Sequence, residues 1–169
     1  LMTRGAFIGD IHGALPELEL LYGMLQHYSL DFIAHCGDLV DRGPDSGGVV
    51  GFCRERNMPG VQGNHDSVIL QYCPGGERAG KIPKNPDKAR SLHQITQDPR
   101  DVQYMRSLPY HHIHTAGDRQ LLHVHAGVHP FLPLEQQGLM FCTASLVHPV
   151  QTDKTKWMGV DRKGVPEET

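Results

Sequence analysis

The sequence predicts an α/β fold in which mixed β-sheets are flanked by helices. Short apolar runs at residues 4–9, 31–36 and 61–62 each end at or just before a glycine that is followed by Asp or Asn: Gly9-Asp10, Gly37-Asp38 and Gly63-Asn64. Amphipathic stretches separate these runs, so strand and helix patterns alternate. The polar residues then fall at the carboxyl ends of strands, where open α/β sheets place their sites.

The run 4–9 reads as a short buried strand, and Asp10-Ile11-His12-Gly13 opens the turn into a helix. Across 14–28, Leu15, Leu18, Leu21, Leu25 and Tyr28 recur at helical spacing as a stripe facing a core, and Pro16 is tolerated in the first turn. A second buried strand at 31–36 precedes a helix at 46–57 that closes on Met58-Pro59-Gly60. Val61-Gln62 is a third short strand. Residues 73–100 carry Pro74, Gly75, Gly76, Pro83, Pro86 and Pro99 with little periodicity, and read as a surface insertion. Strands at 110–114 and 120–125 flank the turn Thr115-Ala116-Gly117-Asp118 as a hairpin. Residues 140–150 read as strand or helix, and those from 151 onward as a polar, loosely held tail.

A length of 169 residues suits one domain over 1–169. Sixteen basic against nineteen acidic residues give a net charge of −3, too little for a global field toward nucleic acid or an anionic membrane. Neither partner is expected, and any phosphate recognition must be local. No apolar run approaches the roughly 20 residues that cross a bilayer, and the start lacks a signal pattern, so a cytoplasmic location is expected. Cys36, Cys53, Cys73 and Cys142 contain no Cys-x-x-Cys pair and read as reduced, buried thiols.

Chemistry concentrates in four motifs: Gly9-Asp10-Ile11-His12-Gly13, Gly37-Asp38-Leu39-Val40-Asp41-Arg42-Gly43-Pro44, Gly63-Asn64-His65-Asp66 and His125-Ala126-Gly127. Any one alone reads as a turn or a cap. In this order they supply the Asp, His and Asn side chains that two neighbouring divalent metals take, with Asp38 the choice for a bridging carboxylate. The mixed oxygen and nitrogen set suits manganese, iron or zinc better than calcium. Arg42 presents a planar fork to phosphoryl oxygens, which Lys does less well.

With these motifs, residues 6–136 resemble the calcineurin-like metallophosphoesterases, and within them the phosphoprotein phosphatase branch that includes the diadenosine tetraphosphatases. The Asp41-Arg42-Gly43-Pro44 ending points to that branch. The resemblance implies a metallophosphoesterase fold and two divalent ions, Asp10 and His12 completing the shell of one, Asn64 and His125 serving the other. It implies in-line attack by a metal-bridging hydroxide without a phospho-enzyme. His65 would protonate the leaving-group oxygen, Asp41 would fix its ring and keep it cationic, and Arg42 would hold substrate. The substrate is a phosphorylated small molecule or a phosphoprotein. Gly43-Pro44-Asp45-Ser46 and Val124-His125-Ala126-Gly127, with Pro133-Leu134-Glu135-Gln136 after it, look more like diadenosine tetraphosphatases than serine/threonine protein phosphatases.

The family usually adds a Gly-His histidine and a second phosphate-binding arginine after the fourth motif. Neither stands here in the expected setting; His148 sits in Val-His-Pro and Arg162 in the polar tail. Two accounts are open, a fragment of a longer chain, for which Leu1 before Met2 also speaks, or a pseudo-phosphatase that only binds phosphorylated ligands. Arg78, Lys81, Lys84, Lys88 and Arg90 are either a solvated surface or a receiver for polyphosphate. His111, His112 and His114 read as solvated strand residues, and His123 as a core-edge residue.

Overall fold

A computed structural model describes residues 4–116, 118–128, 133–136, 159–160 and 166–167. The expectations for residues 140–150, Cys142, His148 and Arg162 lie outside the described residues. Strand β1 (Gly5–Ile8) leads into helix α1 (Leu15–Leu25), strand β2 (Phe32–His35) and helix α2 (Ser46–Glu55). Helices α3 (Asn64–Tyr72), α4 (Pro86–Ile95) and α5 (Pro99–Ser107) follow, then the hairpin β3 (His111–Ala116) and β4 (Arg119–Val124). A short helical turn at Leu134–Gln136 and the two-residue pair β5 (Gly159–Val160) and β6 (Pro166–Glu167) complete the described elements.

β1 and β2 pair in parallel, with Gly5 opposite Phe32 and Ile8 opposite His35. The third strand expected at 61–62 is reduced to one parallel bridge between His35 and Gly60, framed by His35 N–H to Pro59 O (3.0 Å) and Val61 N–H to His35 O (3.3 Å). Gln62 explains the early exit, because its N–H turns to Pro109 O (2.9 Å) and its side-chain amide to Met105 O (3.1 Å), tying this segment to the end of α5. The three chain segments still terminate side by side at Gly9, Gly37 and Gly63. At the end of β2 the buried His35 ring accepts from Gly37 N–H (3.3 Å) and donates through Nε2 to Tyr104, whose hydroxyl donates to Met58 O (2.9 Å). Burial, and then the charge of His123, lower its pKa to about 3, which keeps this ring neutral.

The core lies on the helical side, where Leu39, Val40, Val49, Val50, Cys53, Ile69, Ile95 and Met105 have no exposure. Two expectations change there. Residues 73–100 are not a surface insertion throughout, since α4 occupies the second half and buries Ser91 and Ile95 completely. Asn85 caps it through Oδ1 with the N–H groups of Asp87 (2.9 Å) and Lys88 (3.1 Å), and Pro86 starts it without a missing hydrogen bond. The apolar stripe of α1 is also narrower than its spacing suggests: Leu18 is buried, but Leu21 and Tyr28 are exposed. β1 is likewise only partly covered, with Ile8 buried and Phe7 exposed.

Cys53 and Cys73 are buried free thiols, whereas Cys36 is half-buried. No helix among the described residues is long and apolar enough to cross a membrane. Because Ile95 is enclosed by the core, Ile95→Ala should destabilise the protein by about 2–5 kcal/mol in urea unfolding. A loss below about 0.5 kcal/mol, the range of a surface position, would return α4 to the status of an insertion.

Candidate active site

The site is built on two loops that one carboxylate joins. Asp66, fully buried in the first turn of α3, accepts the N–H groups of Asp38 (2.9 Å), Leu39 (2.9 Å), Val40 (3.4 Å) and Gly63 (2.9 Å). Burial pushes its carboxyl up to about 6, and the charge of Asp38 adds to the rise, while the N–H donors oppose it. Only glycine fits the two loops where they meet, since Gly37 has φ +86° and a Cβ there would lie 2.5 Å from Gly63 N. Asp10, His12, Asp38, Asp41 and Arg42 all take left-handed backbone, with φ of 44°, 46°, 52°, 73° and 62°. Such conformations persist only where surrounding structure imposes them, and they gather at functional sites.

The other four expected ligand residues gather around Asp38. Its Oδ2 lies 3.5 Å from His12 Nε2 and 3.6 Å from His125 Nε2. Each ring is fixed from behind: His12 Nδ1 donates to Val40 O (2.9 Å) and His125 Nδ1 to Cys36 O (2.7 Å). A carbonyl that takes the Nδ1 proton leaves Nε2 as the nitrogen turned to the carboxylate, the arrangement second-sphere carbonyls impose on metal-binding histidines. His12 Nε2 is buried without a hydrogen-bond partner. Asn64 Oδ1 stands 3.1 Å from His125 Nε2, so two lone pairs face each other. A cation resolves each of these contacts, and the donor set therefore fits divalent metal.

Two groups of donors share Asp38, each with its ligand atoms within 4.8 Å of one another. They are Asp10, Asp38 and His125 on one side and His12, Asp38 and His65 on the other. Asp10 follows β1 and turns toward the end of the hairpin, which carries His125.

His65 Nδ1 donates to Asp41 Oδ2 at 2.7 Å, as expected, and Arg42 Nη2 donates to His65 Nε2 at 3.3 Å. Arginine has no acceptor, so Nε2 must carry a lone pair and the ring is neutral. Burial agrees, holding the imidazole below its usual pKa despite Asp41 and Asp38, which raise it. The expectation that Asp41 keeps this ring cationic is not met in this arrangement. Asp41 itself is buried, which raises its pKa, but the hydrogen bonds from Lys88, His65 and Arg42 N–H prevail and hold it at about 2.

Lys88 forms an ion pair with the same Asp41 oxygen, and Arg90 donates to Arg42 O and Gly43 O, both at 3.0 Å. Of the five basic residues noted in the sequence, these two belong to the site's framework. Lys81 and Lys84 are exposed, and Arg78 binds Tyr72 Oη at 3.0 Å. Asp66 was missed as a structural hub although it closes the third motif. The signal was its position at the third residue of a helix that starts at Asn64, where a carboxylate reaches back to the N-cap amide. His114 and His123 serve the hairpin: His114 stacks on Phe32 (4.5 Å, 7°) and buried His123 meets Phe7 edge-on (4.7 Å). His123 thus lies at the core edge as expected, but His114 is half-buried and packed, not solvated.

This arrangement of strand-end carboxylates and imidazoles is that of a known class of proteins: residues 3–158 match the calcineurin-like phosphoesterase family, and the chain belongs to that family. It is 34% identical over 138 residues to a symmetrical bis(5'-nucleosyl)-tetraphosphatase of Shewanella baltica, covering 76% of this chain and 46% of that protein. A protein of the same name from Pectobacterium carotovorum is 33% identical over 128 residues, covering 73% and 43%. The chain thus spans about half the length of the curated relatives it matches. A solved chain provisionally described as a diadenosine tetraphosphatase superposes with a TM-score of 0.71 at 25% identity, covering 99% of this chain and 69% of that one.

Asp66→Ala would leave the buried amides of the two loops without an acceptor, each at about 1–3 kcal/mol. The expected loss of stability is therefore about 3–5 kcal/mol in denaturant unfolding, among the largest for any single site. A loss under about 1 kcal/mol would show that the loops hold themselves.

Proposed function

We propose that this protein hydrolyses the phosphoanhydride bonds of dinucleoside polyphosphates of the diadenosine tetraphosphate type, with two divalent ions held by Asp10, His12, Asp38, Asn64 and His125. What supports this reading most is the pair of histidines whose Nδ1–H groups are engaged by backbone carbonyls, leaving both Nε2 atoms facing Asp38. Manganese, iron or zinc suits that donor set. Bound there, such ions supply Lewis-acid activation of water and neutralise phosphoryl charge. The tetraphosphatase relatives named above support this substrate class.

The chain's own side chains do the remaining work. Arg42 turns its guanidinium from His65 to two phosphoryl oxygens, orienting the group and stabilising the charge that grows on it. That movement frees the bare His65 Nε2 to take a proton from water, and the imidazolium so formed delivers it to the leaving-group oxygen. Asp41, bonded to Nδ1, holds the ring in register and stabilises the imidazolium while it exists. Water attacks phosphorus directly in this reading, and no phosphorylated enzyme forms.

The test compares diadenosine tetraphosphate with a phosphopeptide, with and without manganese, by chromatography of the products. Manganese-dependent formation of ADP is expected. Cleavage of the phosphopeptide alone would assign a protein phosphatase, and manganese binding without cleavage of either would assign a phospho-ligand binder. Asp38→Asn removes the carboxylate that both donor groups share, so activity at limiting manganese should fall more than about 100-fold, beyond the loss from an outer-sphere partner. Calorimetry should show weakened manganese binding; unchanged affinity would remove Asp38 from the bridging position.

A further inference from the structure

Helix α4 grips the loop that carries Asp41 and Arg42 along nearly its whole length. Ser91 Oγ accepts Asp41 N–H at 3.0 Å and bonds Ser46 Oγ at 2.8 Å inside the core. Arg90 Nη2 donates to Arg42 O and Gly43 O, and Gln94 Nε2 donates to Pro44 O at 2.8 Å. Gln94 Oε1 accepts Ser46 N–H at 2.9 Å, and Lys88 pairs with the Asp41 carboxylate. Lys88, Ser91 and Gln94 follow one another at three-residue steps, which sets them on one face of the helix.

We propose that α4 is a clamp on residues 41–46, with Lys88 and Arg90 acting as positioning residues for Asp41 and Arg42. Two left-handed, non-glycine residues in succession relax unless their peptide groups are held from outside. α4 holds them. Fixing the Arg42 carbonyl sets where its side chain starts, and the guanidinium then reaches His65 Nε2 at 3.3 Å. Fixing the Asp41 carboxylate sets the ring of His65, because Lys88 and His65 Nδ1 bind the same oxygen. Both cations already have partners in the fold: Lys88 is paired with Asp41, and Nη2 of Arg90 spans two carbonyls and Asp87 Oδ1 (2.8 Å). Their effect on phosphate chemistry is therefore indirect.

The kinetic arm of the test rests on the phosphoesterase reading, and a second arm does not. Lys88→Ala and Arg90→Ala should each lower kcat for diadenosine tetraphosphate about 10- to 100-fold at saturating manganese, the range seen when an orienting outer partner is lost. KM should move less than about threefold and manganese affinity should not change, because the ligand residues and Arg42 itself are retained and only their alignment for the transition state is lost. Lys88→Arg should recover part of the rate, and Lys84→Ala, an exposed neighbour, should match wild type. Amide hydrogen exchange should accelerate in peptides covering 39–46 and stay unchanged over 32–37. An unchanged kcat, a fall in kcat without faster exchange, or a rate loss matched by lost manganese affinity would each overturn the clamp. If the wild type cleaves no phosphate compound, the functional reading fails by itself; faster local exchange in the variants would still support the clamp and unaltered exchange would overturn it.

Discussion

The Asp66 carboxylate is the interaction on which the site depends. Its oxygens collect amides from the loop after β2 and from the start of α3, segments separated by some 25 residues of chain. A carboxylate in a buried position is costly unless every lone pair meets a donor, and here the donors are the backbone of the very loop that presents Asp38. Charge-assisted bonds of this kind are roughly twice as strong as neutral ones, which suits them to hold Asp38 at φ 52°. The hydrogen bonds that compensate the buried charge are thus the same ones that hold the strained loop. Asp38 Oδ1 closes the arrangement by accepting His65 N–H at 2.9 Å, so its other oxygen is left to face the imidazoles.

The same logic, a backbone group fixing a side chain, recurs at His12 and His125. Each ring has two nitrogens, and a carbonyl that takes the Nδ1 proton decides that Nε2 is the acceptor. Val40 O and Cys36 O lie on either side of Asp38, in the loop that Asp66 organises. Displacing that loop would therefore disturb not only the shared carboxylate but the tautomers of both histidines. The constraint passes from a buried acid to peptide groups, then to ring orientation, and lastly to the direction of lone pairs.

The place of the candidate site was legible in the sequence because strand ends are marked by apolar runs that stop at Gly-Asp or Gly-Asn, and local pattern reports such boundaries well; the choice of His12 and His125 came from the resemblance of the motifs. Asp10, His12, Asp38, Asn64 and His125 meet around one carboxylate. α4 was not legible. Its inward face carries Ser91 and Gln94 beside Ile95, so hydrogen bonds replace the apolar period that signals a buried helix. Two of the four prolines that suggested a loop, Pro86 and Pro99, stand at the first position of α4 and of α5, where a missing N–H costs nothing. The third strand was overread because two apolar-bounded residues cannot show that Gln62 leaves the sheet for Pro109. Leu21 and Tyr28 keep helical spacing yet stay exposed, since periodicity gives a face without giving what covers it.

Charge in residues 78–90 shows why counting cations along a sequence misleads. Lys88 and Arg90 sit beside the Asp41–Arg42 loop, but their recorded contacts go to Asp41, two carbonyls and Asp87. Arg42 differs. Its side-chain contact is a 3.3 Å bond to the neutral nitrogen of His65 in an exposed setting, worth on the order of 1 kcal/mol. Bonds to a charged phosphoryl group are worth about 1.5–3 kcal/mol each, and a planar guanidinium makes two of them together. Exchange of the imidazole for the phosphoryl group is therefore downhill for Arg42 but uphill for Lys88, whose present partner already bears full charge. Physical competition of this kind favours Arg42 for the phosphoryl contact of the proposed reaction, with the neighbouring cations on the backbone that carries it.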